Sequence, residues 1–133
     1  MPRMTIPQIE ALIDHHHADW RSYWEIKELG ENDITVRMVF RQELLRAGGT
    51  VSGPGMMALA DTAAYFLVLA HVGPVDAATS SLDIHFLTRP QPVDVTATAS
   101  LLRLGSRLVV TTVDLRAATD LVARATVTYA VRS

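Results

Sequence analysis

The 133-residue chain has no cysteine. That excludes disulfides, thiolate nucleophiles and cysteine-bound zinc, and it fits a reducing compartment such as the cytoplasm. It has no excess charge of either sign: 12 Lys and Arg stand against 14 Asp and Glu, for a net charge of −2. Nothing therefore points to a nucleic-acid or anionic-membrane partner. The longest apolar run, Met56 to Val72, falls short of the ~20 residues of a membrane span and carries Asp61. It reads as a core helix, so no membrane partner is expected. The N-terminus, MPRMTIPQIEALIDHHH, lacks the long apolar run of a signal peptide. Repeats, low-complexity tracts and linker-like segments are also missing. The expectation is one domain over residues 1–133, with a real core and no room for a second.

What is present is periodicity. Ile9, Leu12 and Ile13 mark a short amphipathic helix from Ile6 to about Asp19. In DITVRMVF, Ile34, Val36, Met38 and Phe40 alternate with Asp33, Thr35 and Arg37. The preceding SYWEIKEL suits a hairpin partner turning at Gly30-Glu31-Asn32. After the apolar helix, alternation returns around Leu82 to Phe86, Val93 to Ser100, Leu108 to Leu115 and Leu121 to Val131. Turns are expected at Gly105-Ser106 and Ala118-Thr119-Asp120. Short turns predict an antiparallel meander for these last four strands. The fold class is therefore α+β: a curved antiparallel sheet of about six strands around a long central helix. A helix with almost no polar face needs cover on all sides. Its uncovered sides and the open sheet edges predict an oligomer.

The helix also carries the chemistry. In GGTVSGPGMMALADTAAYFLVLAH, Pro54 suits a first helical turn, and Ser52 or Gly53 the N-cap. Backbone N–H groups near Gly53 and Gly55 would form a positive patch fit for an oxyanion. Asp61 lies eight residues after Gly53, roughly 12 Å along the axis. The two groups of one chain cannot easily meet at one carbonyl, whereas two antiparallel helices could bring the loop of one to the Asp of the other. Asp61 is either a structural residue bonded to Tyr65 or a partner chain, or a group kept for chemistry. An unpaired buried carboxylate is too costly otherwise.

Three stretches, SGPGMMALADTAA, SLDIHFLTRP and LVARATVTYAV, together with the element order, resemble the hotdog-fold acyl-CoA thioesterases, in particular the phenylacetate-pathway and 4-hydroxybenzoyl-CoA thioesterase type. The resemblance runs from about Glu28 to Val131. The family motif is His-Gly-Gly followed by Leu-x-Asp/Glu on the helix. Leu59-Ala60-Asp61 falls on the second part, and Ser52-Gly53-Pro54 stands in place of the first. The resemblance implies hydrolysis of a coenzyme A thioester to acid and CoA, with no metal and no cofactor. Asp61 would be nucleophile or general base, the Gly53 N–H would polarise the carbonyl, and Ser52 would assist weakly in place of the histidine. The site would lie across the interface of a homodimer or homotetramer. A loop amide in relatives falls at Arg46 here, with Gln42 nearby. The hydroxyl that follows the helix falls at Thr79 or Ser80, with Ser80 the better fit. Met56, Met57, Tyr65, Phe66 and Leu67 are acyl-pocket candidates, and Arg89, Arg103 and Arg107 are candidates for the CoA phosphates.

Other signals are weaker. Consecutive histidines in DHHHADW point 100° apart on a helix and do not converge on one ion. GTVSG is not a serine-hydrolase elbow, because its serine comes one place late. His85 alternates with core positions and should face away from them. Two alternatives to hydrolysis remain: a hotdog protein that binds acyl-CoA or scaffolds without catalysis, and a hotdog dehydratase or hydratase. The latter would want a loop histidine, and none lies between Phe40 and Asp61.

Overall fold

The structure, a computed structural model, describes residues 2–132. Helix α1 spans Ile6–His16 and starts from a capping box. The Gln8 N–H donates to Thr5 Oγ1 and the Thr5 N–H to Gln8 Oε1. It stops short of Asp19. The chain turns out of the helix into a single 3₁₀ turn, Trp20–Ser22. There the Trp20 indole packs edge-on against Phe66, with ring centroids 5.6 Å apart, and donates to Asp14 Oδ1 at 2.7 Å. Burying that large ring outweighs continuing the helix.

Strands β1 (Trp24–Leu29) and β2 (Asp33–Met38) form the expected hairpin. Helix α2 (Gly53–Val72) follows, then β3 (Asp76–Phe86), β4 (Val95–Leu104), β5 (Leu108–Ala117) and β6 (Asp120–Arg132). Helix α2 has 20 residues, the length of a membrane span. Most of its apolar side chains are instead packed against β2 to β6.

One expectation is corrected. Strands β4, β5 and β6 form a meander, but β3 does not pair with β4. The sheet order is β1-β2-β4-β5-β6-β3, antiparallel throughout. Residues 87–94 contain Pro90 and Pro92 and form no tight turn. The Leu87 and Thr88 N–H groups bond to the Val122 carbonyl, carrying the chain past the start of β6. A hairpin needs a short turn whose N–H groups remain free to pair, and this segment provides none.

The core lies between the sheet and α2. Ile34, Val36, Val95, Ala97, Ala99, Val109, Val113 and Val127 from the sheet meet Leu59, Ala60, Ala63, Ala64, Leu67 and Val68 from the helix, all of them fully buried. The alternating strand faces and the helical apolar positions thus fill one volume.

Candidate active site

Helix α2 begins as the loop chemistry dictates. Ser52 is the N-cap in extended backbone, and its Oγ accepts from the Gly55 N–H at 3.1 Å. The Gly55 N–H is therefore not part of a free positive patch, which corrects that expectation. Pro54 has no N–H, and Met56 N–H bonds the Ser52 carbonyl. Among the described residues the Gly53 N–H has no acceptor. It is the one donor of this first turn left for another molecule. The Phe86 ring lies over Gly53: a methyl placed there would sit 3.4 Å from Phe86 Cζ. Phe86 is accordingly half exposed at the end of β3 rather than in the core.

Two turns along, Asp61 is half buried. Its Oδ1 accepts from Thr79 Oγ1 at 2.7 Å and from the Tyr129 hydroxyl at 2.8 Å. Its Oδ2 accepts from no side chain or backbone group among the described residues. One oxygen is thus held and the other left open. The structural partners of Asp61 are these two hydroxyls, not Tyr65. Tyr65 stacks on Tyr129 instead, with centroids 5.9 Å apart. Burial, and then the Asp61 carboxylate beside it, push the Tyr129 hydroxyl far above its ordinary pKa. It therefore stays protonated and donates.

The sheet explains this convergence. Thr79 on β3 lies directly opposite Tyr129 on β6, so both side chains share the face toward α2. The register then slips between Thr79 and Ser81. That bulge lets Thr79 and Leu82, three residues apart, both face inward; a regular strand would set them on opposite faces. Ser80 is the extra residue and is exposed. The hydroxyl that meets Asp61 is Thr79's. Tyr129 was not foreseen from sequence. Its only signal was the inward phase it shares with Val127.

The arginine candidates are dispersed. Arg46 is exposed and turns back on its own loop, Nη1 lying 3.4 Å from Thr50 Oγ1. Gln42 is exposed in a 3₁₀ turn, Gln42–Leu44. Arg89 is exposed beside Pro90, whose carbonyl accepts from Val51 N–H next to the start of α2. Arg103 and Arg107 flank the β4–β5 turn. That turn's Leu104 and Ser106 share a cavity of about 370 Å³ with His71 and Val72 at the far end of α2. Of the acyl-pocket candidates, Met56 and Leu67 are buried in the core and Met57 is exposed. Tyr65 and Phe66 line a cleft of about 390 Å³. His85 is exposed, as are His15, His16 and His17, and no three His, Asp or Glu side chains among the described residues cluster as a metal site.

An antiparallel sheet wrapped round one long helix, with a carboxylate held in mid-helix and an open N–H at its start, is the hotdog architecture. The model of the thioesterase superfamily matches residues 48–124, and the chain belongs to that superfamily. A candidate thioesterase from Silicibacter sp. TM1040 is 34% identical over 100% of this chain and 95% of its own, with a TM-score of 0.92. A thioesterase from Haemophilus influenzae has the same fold at 21% identity, over 99% of this chain and 94% of its own, with a TM-score of 0.87. So does the PaaI protein of the Escherichia coli phenylacetic acid degradation operon, at 20% identity over 95% and 94%, TM-score 0.83. No curated protein matches in sequence. Family membership supports thioester hydrolysis as the general activity.

Proposed function

We propose that this protein is an acyl-CoA thioesterase that acts as a dimer, with Asp61 as its reactive carboxylate. The observation that carries the reading is the asymmetry of Asp61: Oδ1 fixed by two hydroxyls, Oδ2 unengaged. A carboxylate held so has one orientation and one free lone-pair edge, which is what a nucleophile or base requires.

The partner chain follows from the distance along α2. The Gly53 N–H and Asp61 lie on one helix, roughly 12 Å apart. Met57 sits midway between them. Two helices crossing antiparallel at Met57 would set each Asp61 opposite Gly53 of the partner subunit, as a two-fold interface requires. Two features favour this. Pro54, Met57 and Ala58 are exposed in line with Asp61 on an apolar helix. Strand β3 is an 11-residue edge, whereas the other edge, β1, has six residues and carries Glu25, Lys27 and Glu28. A long edge whose only carboxylates are Asp76 and Asp83, against three charged residues in the six of β1, invites pairing with a second copy.

In the reaction, Asp61 Oδ2 takes a proton from water as the water oxygen attacks the thioester carbonyl. The oxyanion forms on the Gly53 N–H of the partner subunit. Its collapse breaks the C–S bond, and CoA leaves as a thiol with the proton from Asp61. In the covalent alternative Oδ2 itself attacks, CoA departs, and water then hydrolyses the anhydride. Single turnover in ¹⁸O-water tests for the covalent route: label in Asp61 requires water attack on the Asp61 carbonyl of the anhydride, whereas label in the acid alone fits either route. The rival reading, acyl-CoA binding without turnover, draws on Ser52. Its Oγ lone pair is engaged by the Gly55 N–H, and it stands where the family has histidine.

Asp61→Asn decides between them. The amide oxygen still accepts from Thr79 and Tyr129, so the melting temperature should hold within a few degrees. Turnover should fall by at least ~10²-fold. Unchanged turnover would remove Asp61 from the mechanism. The dimer has its own check. Met57→Cys gives this cysteine-free chain one thiol, and a short bis-maleimide should link two copies through it. A monodisperse, uncrosslinked monomer would refute the split site.

A further inference from the structure

We infer that the N-terminal segment builds the acyl pocket, and that the pocket selects an uncharged apolar acyl group larger than acetyl. This rests on the thioesterase reading and adds the substrate class to it. The 390 Å³ cleft has Trp20, Tyr23 and Trp24 on one side and Thr62, Tyr65 and Phe66 of α2 on the other. That volume lies in the range of small-molecule sites.

The cleft adjoins the carboxylate. Thr62 follows Asp61 in the chain, and Tyr65 is one helical turn on. Tyr65 also stacks on Tyr129, which donates to Asp61. An acyl chain whose carbonyl lies at Asp61 Oδ2 therefore has this cleft beside it.

The walls are preformed. Trp20 is fixed by Asp14 and by its edge-on contact with Phe66. The Arg41 guanidinium lies 4.3 Å from the Tyr23 ring centroid, on a residue that is itself part of the wall. Rigid rings lose little freedom when a ligand binds. Their chemistry sets the preference. An acyl group gains by burying methylenes or a ring among them, and acetyl is too small to reach them. A carboxylated acyl group would lose hydration against aromatic faces, and the only charged residue of fixed sign in the lining is Asp19.

Seven of the ten lining residues precede residue 48, where the match to the superfamily begins. The common core would thus supply the chemistry and the N-terminal segment the selectivity.

Both tryptophans of the chain line the cleft, so intrinsic emission reports its occupancy. The probes are the unreactive thioether S-octyl-coenzyme A and coenzyme A alone. The thioether should change the emission saturably, and coenzyme A should not. On turnover, kcat/KM should be higher for octanoyl- and phenylacetyl-CoA than for acetyl- and succinyl-CoA. Ala18, exposed in the lining, is the place to fill the cleft. Ala18→Phe should weaken thioether binding and lower the octanoyl-to-acetyl ratio by ~10-fold, the scale of about two buried methylenes. If that variant does not fold, Tyr23→Ser tests the same wall by removing a ring. A preference for acetyl- or succinyl-CoA would overturn the proposal. So would a ratio unmoved in a folded variant, or a change of oligomeric mass without a change of ratio, which would mean that a second copy fills the cleft. Thioether binding in the cleft without any hydrolysis would refute the catalytic reading and leave the cleft standing. Hydrolysis with no acyl preference and no emission change would do the reverse.

Discussion

The two halves of α2 are treated oppositely by the fold. From Phe66 to His71 every residue is buried. Part of that cover is the chain's own N-terminus: the Arg3 and Met4 N–H groups bond the Ala70 carbonyl, and Trp20 packs on Phe66. From Pro54 to Tyr65 a stripe stays open, with Pro54, Met57 and Ala58 exposed and Asp61, Thr62 and Tyr65 half buried. An apolar helix can thus serve as core at one end and as working surface at the other. What separates the ends is which segments return to cover them.

If that contrast is sound, substitutions in the two halves should differ in kind. The largest stability effect is expected in the covered half. Leu67→Ala removes a fully buried side chain and should cost ~2–5 kcal/mol. Met57→Ala, on the exposed stripe, should leave the stability of a single chain within ~0.5 kcal/mol. Chemical denaturation of both variants, at a protein concentration below dimer formation, measures the gap. Equal losses would erase the distinction.

Tyr129→Phe sharpens the contrast at its boundary. Tyr129 is a positioning residue: the variant keeps the stacked ring and deletes the donor to Asp61 Oδ1. A hydrogen bond to a charged group at this scale predicts a kcat loss of ~10-fold or somewhat more, with KM little changed. A purely structural role would lower the melting temperature and leave kcat alone, so kinetics and melts on one sample discriminate.

The smallest effect concerns the closed end. Burial holds the His71 imidazole below its ordinary pKa, and its Nε2 has no hydrogen-bond partner among the described residues. The folded state therefore keeps His71 neutral at pH values where the unfolded chain, titrating near ~6.5, takes up a proton. The contribution is fully present above ~6.5. Below that, stability should fall by at most about 1.4 kcal/mol per pH unit until the folded-state pKa is reached. Melts across pH 5 to 8 should show this slope, and His71→Leu should flatten it. An identical slope in the variant would assign the pH dependence to other groups.

Local rules carried the sequence reading far. Period-two alternation located all six strands, and Ser52, Gly53 and Pro54 marked the start of α2 because capping is decided within one turn. Asp61 stood out because a carboxylate in so apolar a helix needs either hydrogen-bond partners or an opening to solvent. The position of β3 was not legible. Alternation fixes which residues share a face, but not which strand lies alongside, and β3 crossed to β6 because residues 87–94 cannot turn tightly. For the same reason Ser80 looked a better fit than Thr79: a bulge is a property of a pair of strands, and one strand read alone does not reveal it. Tyr129, 68 residues beyond Asp61, could be joined to it only through the β3–β6 register. The N-terminal cleft was hidden likewise, since its two walls are brought together by α1 packing on α2. By itself the sequence determined the elements, the helix cap and the anomalous carboxylate, because each depends on neighbours within a few residues. Only the tertiary structure decided which hydroxyls hold that carboxylate, which half of the helix stays open and what lies beside it, because strand order and register depend on contacts between segments distant in the chain.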